Sequence, residues 1–274
     1  MTVPPFDFEY LCWLVREQSG VVLEPHKDYL AVLHLDRIAE IAGYDSIASF
    51  VEHLKHSPFS DLHLQAIEAL VINETSFFRD RDPFEILKSE VLPALIQSRS
   101  RDRAINIWCA ACSTGQELYS IAMLIREAFP ELSSWNIRLI ATDFSQQALD
   151  RARQGMYTSL EMNRGLPLNF RDRYFRQVGK SWQIMDEIRR MVEFRPLNLI
   201  QSWNSLPAMD IIFLRNVLIY FDLETKRSVF HRVQQTLQPD GYLFLGGGET
   251  TLYLSSRFEA IQTTTGLYHR LRSA

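Results

Sequence analysis

Ile105-Asn-Ile-Trp-Cys-Ala-Ala-Cys-Ser-Thr-Gly-Gln-Glu-Leu-Tyr-Ser120 is the stretch that decides the fold. A strand-like apolar run over residues 105–109 breaks into a turn of small residues, and residues 116–129 then follow a helical period. The couplet returns downstream. Ile137-Arg-Leu-Ile-Ala-Thr142 precedes a helix over residues 146–153 that Gly155 ends, and Met209-Asp-Ile-Ile-Phe-Leu214 precedes a helix over residues 224–237. Gly241-Tyr-Leu-Phe-Leu-Gly246 supplies a further strand. Such alternation predicts an α/β domain with a parallel sheet and helices on both faces. Its ligands belong beyond the carboxyl ends of the strands, where the strand order reverses.

Between Tyr157 and Asn198 the alternation stops. Arg173-Tyr-Phe-Arg-Gln-Val-Gly-Lys-Ser-Trp-Gln-Ile184 predicts a small hairpin turning at Val178-Gly-Lys-Ser181, so residues 157–192 are expected to form an inserted β-subdomain. Upstream, residues 1–72 carry helical signals alone. Apolar residues recur at three and four in Leu11, Leu14, Val15 and in Leu30, Leu33, Leu35, Ile38, Ile41. Asp45-Ser46 caps a third helix through Phe50, Val51 and Leu54, and Ser60-Asp61 a fourth over residues 62–72. The expected organisation is an N-terminal helical domain (1–72), a linker and connecting helix (73–102) and the sheet domain (103–274).

Charge divides the chain in the same way. Among 274 residues, 29 Lys and Arg face 33 Asp and Glu, a net −4 that excludes a nucleic-acid coat. Residues 1–70 hold four bases against eleven acids, a balance of −7, and the rest hold 25 bases against 22 acids, or +3. This asymmetry marks two units with different tasks. Three cysteines cannot staple a fold of this size and suit a reducing compartment. The strongest apolar run, 209–221, is broken by Arg215 and Asn216, and Met1-Thr-Val-Pro-Pro-Phe-Asp-Phe-Glu9 lacks the pattern of a secretory leader. A cytoplasmic protein without membrane insertion is expected. Five of the seven histidines (His26, His34, His53, His56, His63) fall in the helical unit. His53 and His56 could share a face, but no third ligand stands at a telling spacing and no metal site is expected.

The chemistry-bearing residues follow the strands. Small residues and Gly115 after the first strand let a ligand approach the backbone, and the helix behind them offers unpaired N–H groups. The second strand ends in Ala141-Thr-Asp143, where a carboxylate can accept from both hydroxyls of a ribose. Together these predict a nucleoside site. Only Gly115 of a dinucleotide fingerprint is present, so a ligand without phosphates fits better, with S-adenosylmethionine foremost. Trp108-Cys-Ala-Ala-Cys112 also has the spacing of a disulfide oxidoreductase motif, although Cys109 continues a strand and the chain is far longer than that fold needs. Two further segments are dense in polar groups beside aromatic ones: Asn73-Glu-Thr-Ser-Phe-Phe-Arg-Asp80 and Leu214-Arg-Asn-Val-Leu-Ile-Tyr-Phe-Asp222.

With these motifs in order the chain resembles the chemotaxis receptor glutamate methyltransferases, the CheR family, over essentially its whole length. Phe194-Arg-Pro-Leu-Asn-Leu199 and Asp240-Gly-Tyr-Leu-Phe-Leu-Gly246 complete the set. The resemblance implies a Rossmann-like S-adenosylmethionine-dependent methyltransferase domain with a small inserted β-subdomain, preceded by an all-α domain. It implies that Asn73, Thr75 and Arg79 lie over the cofactor and substrate pocket. Glu117 would hold the cofactor, Asp143 its ribose, and Asn198 and Leu199 its adenine. Arg215, Asn216 and Val217 would line the methionine end, with Tyr220 beside the transferring methyl. Arg79 and Tyr220 are the expected catalytic residues.

A glutamate carboxylate is already ionised at neutral pH, so methyl transfer to it needs alignment and desolvation rather than a general base. The lack of a catalytic His or Cys is then expected. The implied partner is the cytoplasmic helical domain of a chemoreceptor, with the enzyme acting as a monomer.

Three departures from the family pattern stand out. Gln116 and Leu118 replace a Glu and a Pro around Glu117, and Gly246-Gly-Gly-Glu249 replaces a Gly-His-Ser-Glu, leaving Glu249 without an assigned role. The second helix, arginine-rich in many members, keeps only Arg37 in Leu33-His-Leu-Asp-Arg-Ile-Ala-Glu40. An acidic unit repels an acidic helix bundle. The hairpin around Gly179 is short, so no tether to a receptor's C-terminal pentapeptide is expected. The alternatives are a methyltransferase acting on another protein or small-molecule carboxylate, and a cofactor-binding regulator without turnover.

Overall fold

The computed structural model describes residues 5–24 and 28–272; residues 1–4, 25–27 and 273–274, and with them His26 and the start of the leader reading, lie outside the described residues. The chain divides into two compact units, 1–72 with 220–225 and 73–219 with 226–274.

The first unit is built of α1 (Pro5–Ser19), α2 (Asp28–Ile41), α3 (Ile47–His56) and α4 (Asp61–Leu70). The capping signals act as the sequence suggests: Ser46 Oγ accepts the Ser49 N–H at 3.1 Å, and Ser60 caps α4. His63, 3% exposed, takes the Ser60 N–H on Nδ1 at 3.1 Å and donates from Nε2 to the Leu54 carbonyl at 2.9 Å. It is a buried cap of the helix. Leu11, Leu14, Val15, Phe50, Val51 and Leu54 are buried as the period predicts. On α2 the period misleads, because the helix packs on Ala31, Leu35 and Ala39, and the two alanines allow close approach. Leu33 and Ile41 are 69% and 75% exposed.

Residues 73–102, expected as a linker and connecting helix, belong to the second unit and contribute to its core. Phe77, Phe84, Leu87, Val91, Leu92 and Leu95 are buried in it. α5 (Asp82–Ile86) and α6 (Leu92–Ser98) are joined by a π turn, Leu87–Val91. Pro93 has no N–H for the regular ladder at that point, and the Leu92 N–H reaches back to the Leu87 carbonyl.

The chain then alternates through β1 (Ala104–Ala110), α7 (Gln116–Ala128), β2 (Asn136–Asp143) and α8 (Gln146–Gln154). The insert follows with β3 (Met156–Thr158), α9 (Ser159–Met162), α10 (Leu168–Tyr174), β4 (Phe175–Val178), β5 (Ser181–Ile184) and α11 (Asp186–Arg189). Its three strands form an antiparallel sheet in the order β3-β5-β4, and β4 and β5 turn at Gly179-Lys180 as predicted. β6 (Val192–Pro196), β7 (Met209–Leu214), α12 (Leu223–Thr236), β8 (Leu237–Leu245), β9 (Phe258–Gln262) and β10 (Leu267–Leu271) complete the unit.

The main sheet runs β6-β2-β1-β7-β8-β10-β9. The first five strands are parallel, and β10 and β9 add antiparallel at one edge, a departure from the all-parallel expectation. Both neighbours of β1 come later in the chain, so the strand order reverses at β1. At the amino ends of the strands Arg99 donates to Asp210 at 2.9 Å and to both oxygens of Asp240 at 2.8 and 2.6 Å, clipping α6 to β7 and β8. The carboxyl ends are thereby left to carry the site. Among the described residues no helix is long and apolar enough to cross a membrane.

Candidate functional site

The turn after β1 is tightly wound, with Ala111, Ser113 and Gly115 all at positive φ (54°, 51° and 92°). A Cβ at Gly115 would stand 3.0 Å from Ala152 and 3.2 Å from Phe194, so only glycine fits this start to α7. The Cys112 N–H reaches the Thr142 carbonyl at 2.9 Å, fastening the turn to the end of β2. Asp143 binds the two turns together. Its carboxylate, 4% exposed, accepts the Ser113 N–H at 2.8 Å and the Ser145 N–H at 3.0 Å. Ser113 Oγ in turn donates to the Asn73 carbonyl at 2.7 Å, bringing the Asn73–Arg79 motif to the same edge.

That motif is held under strain. Phe78, Asp80 and Arg81 have φ of 47°, 64° and 36°, costly for residues with a Cβ. Phe77 is fully buried edge-on to Tyr157 and Phe175, and the Phe78 N–H donates to Ser120 Oγ at 3.0 Å. Asn73 and Thr75 are half-buried. Arg79 is half-buried as well, donates to the Glu74 carbonyl at 3.0 Å, and meets no carboxylate among the described residues.

Arg215, directly after β7, has a side chain only 1% exposed. It pairs with Glu117 and donates to Asp80 at 2.8 Å and to the Arg79 carbonyl at 3.0 Å, while its Nε has no partner. The other Glu117 oxygen accepts the Cys109 thiol at 2.9 Å. Arg215 thereby ties the strained segment to the first turn of α7. The sequence reading expects both the Glu117 and the Arg215 side chains at the cofactor pocket, and the structure brings them together at the first turn of α7 and the carboxyl end of β7.

Beyond β6, the Leu197 N–H donates to the Asp143 carbonyl at 3.0 Å, Asn198 Oδ1 accepts the Ile200 N–H at 3.2 Å, and Leu199 is buried. Arg232 holds the Leu199 and Ile200 carbonyls at 3.2 and 3.1 Å. Asn216 sits at φ 58°, and Val217 continues that loop. Glu249, which sequence reasoning left without a role, accepts the N–H groups of this loop. Its signal was a lone acid after a glycine run at a strand end. The candidates from Asn73 to Val217 therefore converge on the carboxyl ends of four adjacent strands, β6, β2, β1 and β7. Tyr220 falls in the segment 220–225 of the first unit, where its carbonyl accepts the Val22 N–H at 2.8 Å and Asp222 pairs with Arg16 at 2.7 Å.

The donor set suits an adenosyl sulfonium. Asp143 and Glu117 would repel a pyrophosphate, whereas a cationic nucleoside without phosphates meets carboxylates and backbone dipoles. Burial pushes the Cys109 and Cys112 thiols well above their usual range, the reverse of what a redox dithiol needs.

Two family models match the chain: "CheR methyltransferase, all-alpha domain" over residues 7–71 and "CheR methyltransferase, SAM binding domain" over residues 73–267. The chain is 38% identical over 277 residues to chemotaxis protein methyltransferase 1 of Pseudomonas aeruginosa, covering 99% of this chain and 100% of that protein. It is 36% identical to chemotaxis protein methyltransferase Cher2 of Pseudomonas putida, at the same coverage. To chemotaxis protein methyltransferase 1 of Vibrio cholerae it is 34% identical, covering 99% of each chain. The chain belongs to the CheR family and is an S-adenosylmethionine-dependent methyltransferase.

Proposed function

We propose that the protein methylates glutamate side-chain carboxylates on the cytoplasmic helical domain of chemoreceptors, as a monomer in the cytoplasm, giving methyl esters and S-adenosylhomocysteine. The observation that carries this reading is Arg79: a half-buried guanidinium without a carboxylate partner, on a segment held in place by buried aromatics and Arg215. Bound S-adenosylmethionine supplies the electrophilic methyl. The chain's residues align and desolvate. Asp143 offers the ribose acceptors, Asn198 and Leu199 flank the adenine, and Asn73, Thr75, Asn216 and Val217 enclose the methionine end. Glu117 and Arg215, paired with each other, hold the cofactor from the first turn of α7 and the end of β7. Arg79 orients the incoming carboxylate, and Tyr220 packs beside the methyl.

The β4–β5 turn contains only Gly179 and Lys180, which supports recognition without a pentapeptide tether. A second reading, another protein or small-molecule carboxylate as substrate, is favoured by the exposed face of α2. That face presents Tyr29 and Leu33 with Asp36 and Glu40, and Arg37 as its only arginine. Tritiated methyl transfer to receptor-containing membranes tests both. Alkali-labile label on the receptor is expected, and a receptor that stays unlabelled while another lysate fraction takes up label would transfer the case to the second reading.

A further inference from the structure

Glu249 sits in the turn that follows β8, and its own N–H donates to the Gly246 carbonyl at 2.9 Å. Its carboxylate gathers four main-chain donors. Oε2 accepts from Gly246 at 2.7 Å and Asn216 at 2.8 Å, and Oε1 accepts from Val217 at 3.0 Å and Leu218 at 2.7 Å. Three of these donors are consecutive residues of the loop after β7, at the strand end next to the order reversal. Three successive N–H groups aimed at one point make a nest that demands an anion. Here the chain supplies the anion itself, from the neighbouring strand.

The arrangement fixes Asn216 in the left-handed region, at φ 58°, which a side chain adopts at a cost. It also requires that residue 246 have no side chain. A Cβ there would lie 2.7 Å from Asn216 Nδ2, 2.8 Å from Glu249 Oε2 and 2.9 Å from the Asn216 nitrogen. Gly246 and Glu249 therefore work as one clip on the loop that presents Asn216 and Val217.

We infer that Glu249 is a positioning residue for cofactor binding: through its carboxylate it holds the Asn216–Val217 main chain in the conformation that receives the methionine end of S-adenosylmethionine. The inference rests on the assignment of Asn216 and Val217 to that pocket. Glu249 touches no reacting atom. It acts by pre-organising a wall that would otherwise have to order itself on binding.

The test is calorimetric binding of S-adenosylhomocysteine to wild type, Glu249→Gln, Glu249→Asp, Gly246→Ala and Asn216→Ala, with steady-state KM and kcat beside it. Gln keeps the shape of Glu but turns an NH2 group toward N–H donors. The loss of charge-assisted acceptors then weakens binding about tenfold or more. The KM for S-adenosylmethionine rises in parallel, kcat at saturating cofactor falls less, and Asp, still acceptor-only, recovers part of the loss. Gly246→Ala, which displaces the same carboxylate without changing charge, reproduces the effect and serves as the probe should Glu249→Gln fail to fold.

Unchanged affinity in Glu249→Gln or Gly246→Ala while Asn216→Ala binds weakly overturns the inference and leaves the pocket assignment standing. Unchanged affinity in all of them removes the loop from the pocket altogether.

Discussion

Replacing Arg215 by methionine keeps much of the buried volume and deletes the charge. The side chain is 1% exposed and its partner Glu117 12%, so the variant strands a carboxylate whose remaining side-chain donor is a thiol. Breaking a buried pair from one side costs about 3–5 kcal/mol. Asp80, 51% exposed, is solvated on release and adds little. Removing Nε, which has no partner, returns about 1 kcal/mol. The net loss is about 2–4 kcal/mol, or roughly 4–16 °C in melting temperature for a unit of this size. Urea unfolding followed by tryptophan fluorescence reads it, since Trp108, Trp135, Trp182 and Trp203 lie in the second unit and only Trp13 in the first. Adding Glu117→Gln to the same background should restore part of the loss, because the stranded charge is gone. A loss below about 1 kcal/mol, or a double variant no better than the single one, would refute the clamp.

Asp143→Ala should weaken S-adenosylhomocysteine binding by roughly 1–3 kcal/mol in calorimetry, and an unchanged affinity removes it from the ribose site. Arg79→Ala should cut turnover far more than cofactor affinity; full activity in a methyl-transfer assay ends its role in orienting the carboxylate. The Arg99 guanidinium, by hydrogen bonding, holds the Asp240 carboxyl below the usual carboxylate range. The stability this lends is present above about pH 4 and is lost as pH falls through the depressed value. Urea midpoints should therefore fall less steeply below pH 4 in Arg99→Ala than in wild type, and parallel acid limbs would dismiss the linkage.

What the sequence made legible is local. Ser46 and Ser60 announce their helices through the spacing of their partners, and the apolar runs of β1, β2, β7 and β8 are buried on both faces and read as strands. β6 was concealed because Val192-Glu-Phe-Arg-Pro196 is an edge strand, half-buried, with charges at alternate positions and a proline at its end. β9 and β10 carry the same weak alternation. On α2 large residues occupy two faces, and the face that packs is the one with alanines. Periodicity of bulk could not show this, since the small residues set the distance of approach.

The site was legible as a set of residues but not as an arrangement. Asp143 could be placed from its strand alone, because a carboxylate after a β-strand needs only its own element to reach the ligand edge. Arg215 could not: its partners stand 98 and 135 positions away, and only the fold brings Glu117 and Asp80 to it. A free-standing arginine at a strand end reads as a ligand contact, whereas a buried one with two carboxylates reads as a brace. Arg79, carried on the segment that Arg215 braces, makes its one side-chain hydrogen bond to a carbonyl and keeps its charge without a counterion among the described residues. If the site receives a carboxylate, as proposed above, it does so beside two carboxylates of its own, and it then needs one arginine already neutralised and another left unpaired. On that proposal the clamp and the unpaired guanidinium are two halves of one electrostatic arrangement, and exchanging their roles would repel an anionic substrate.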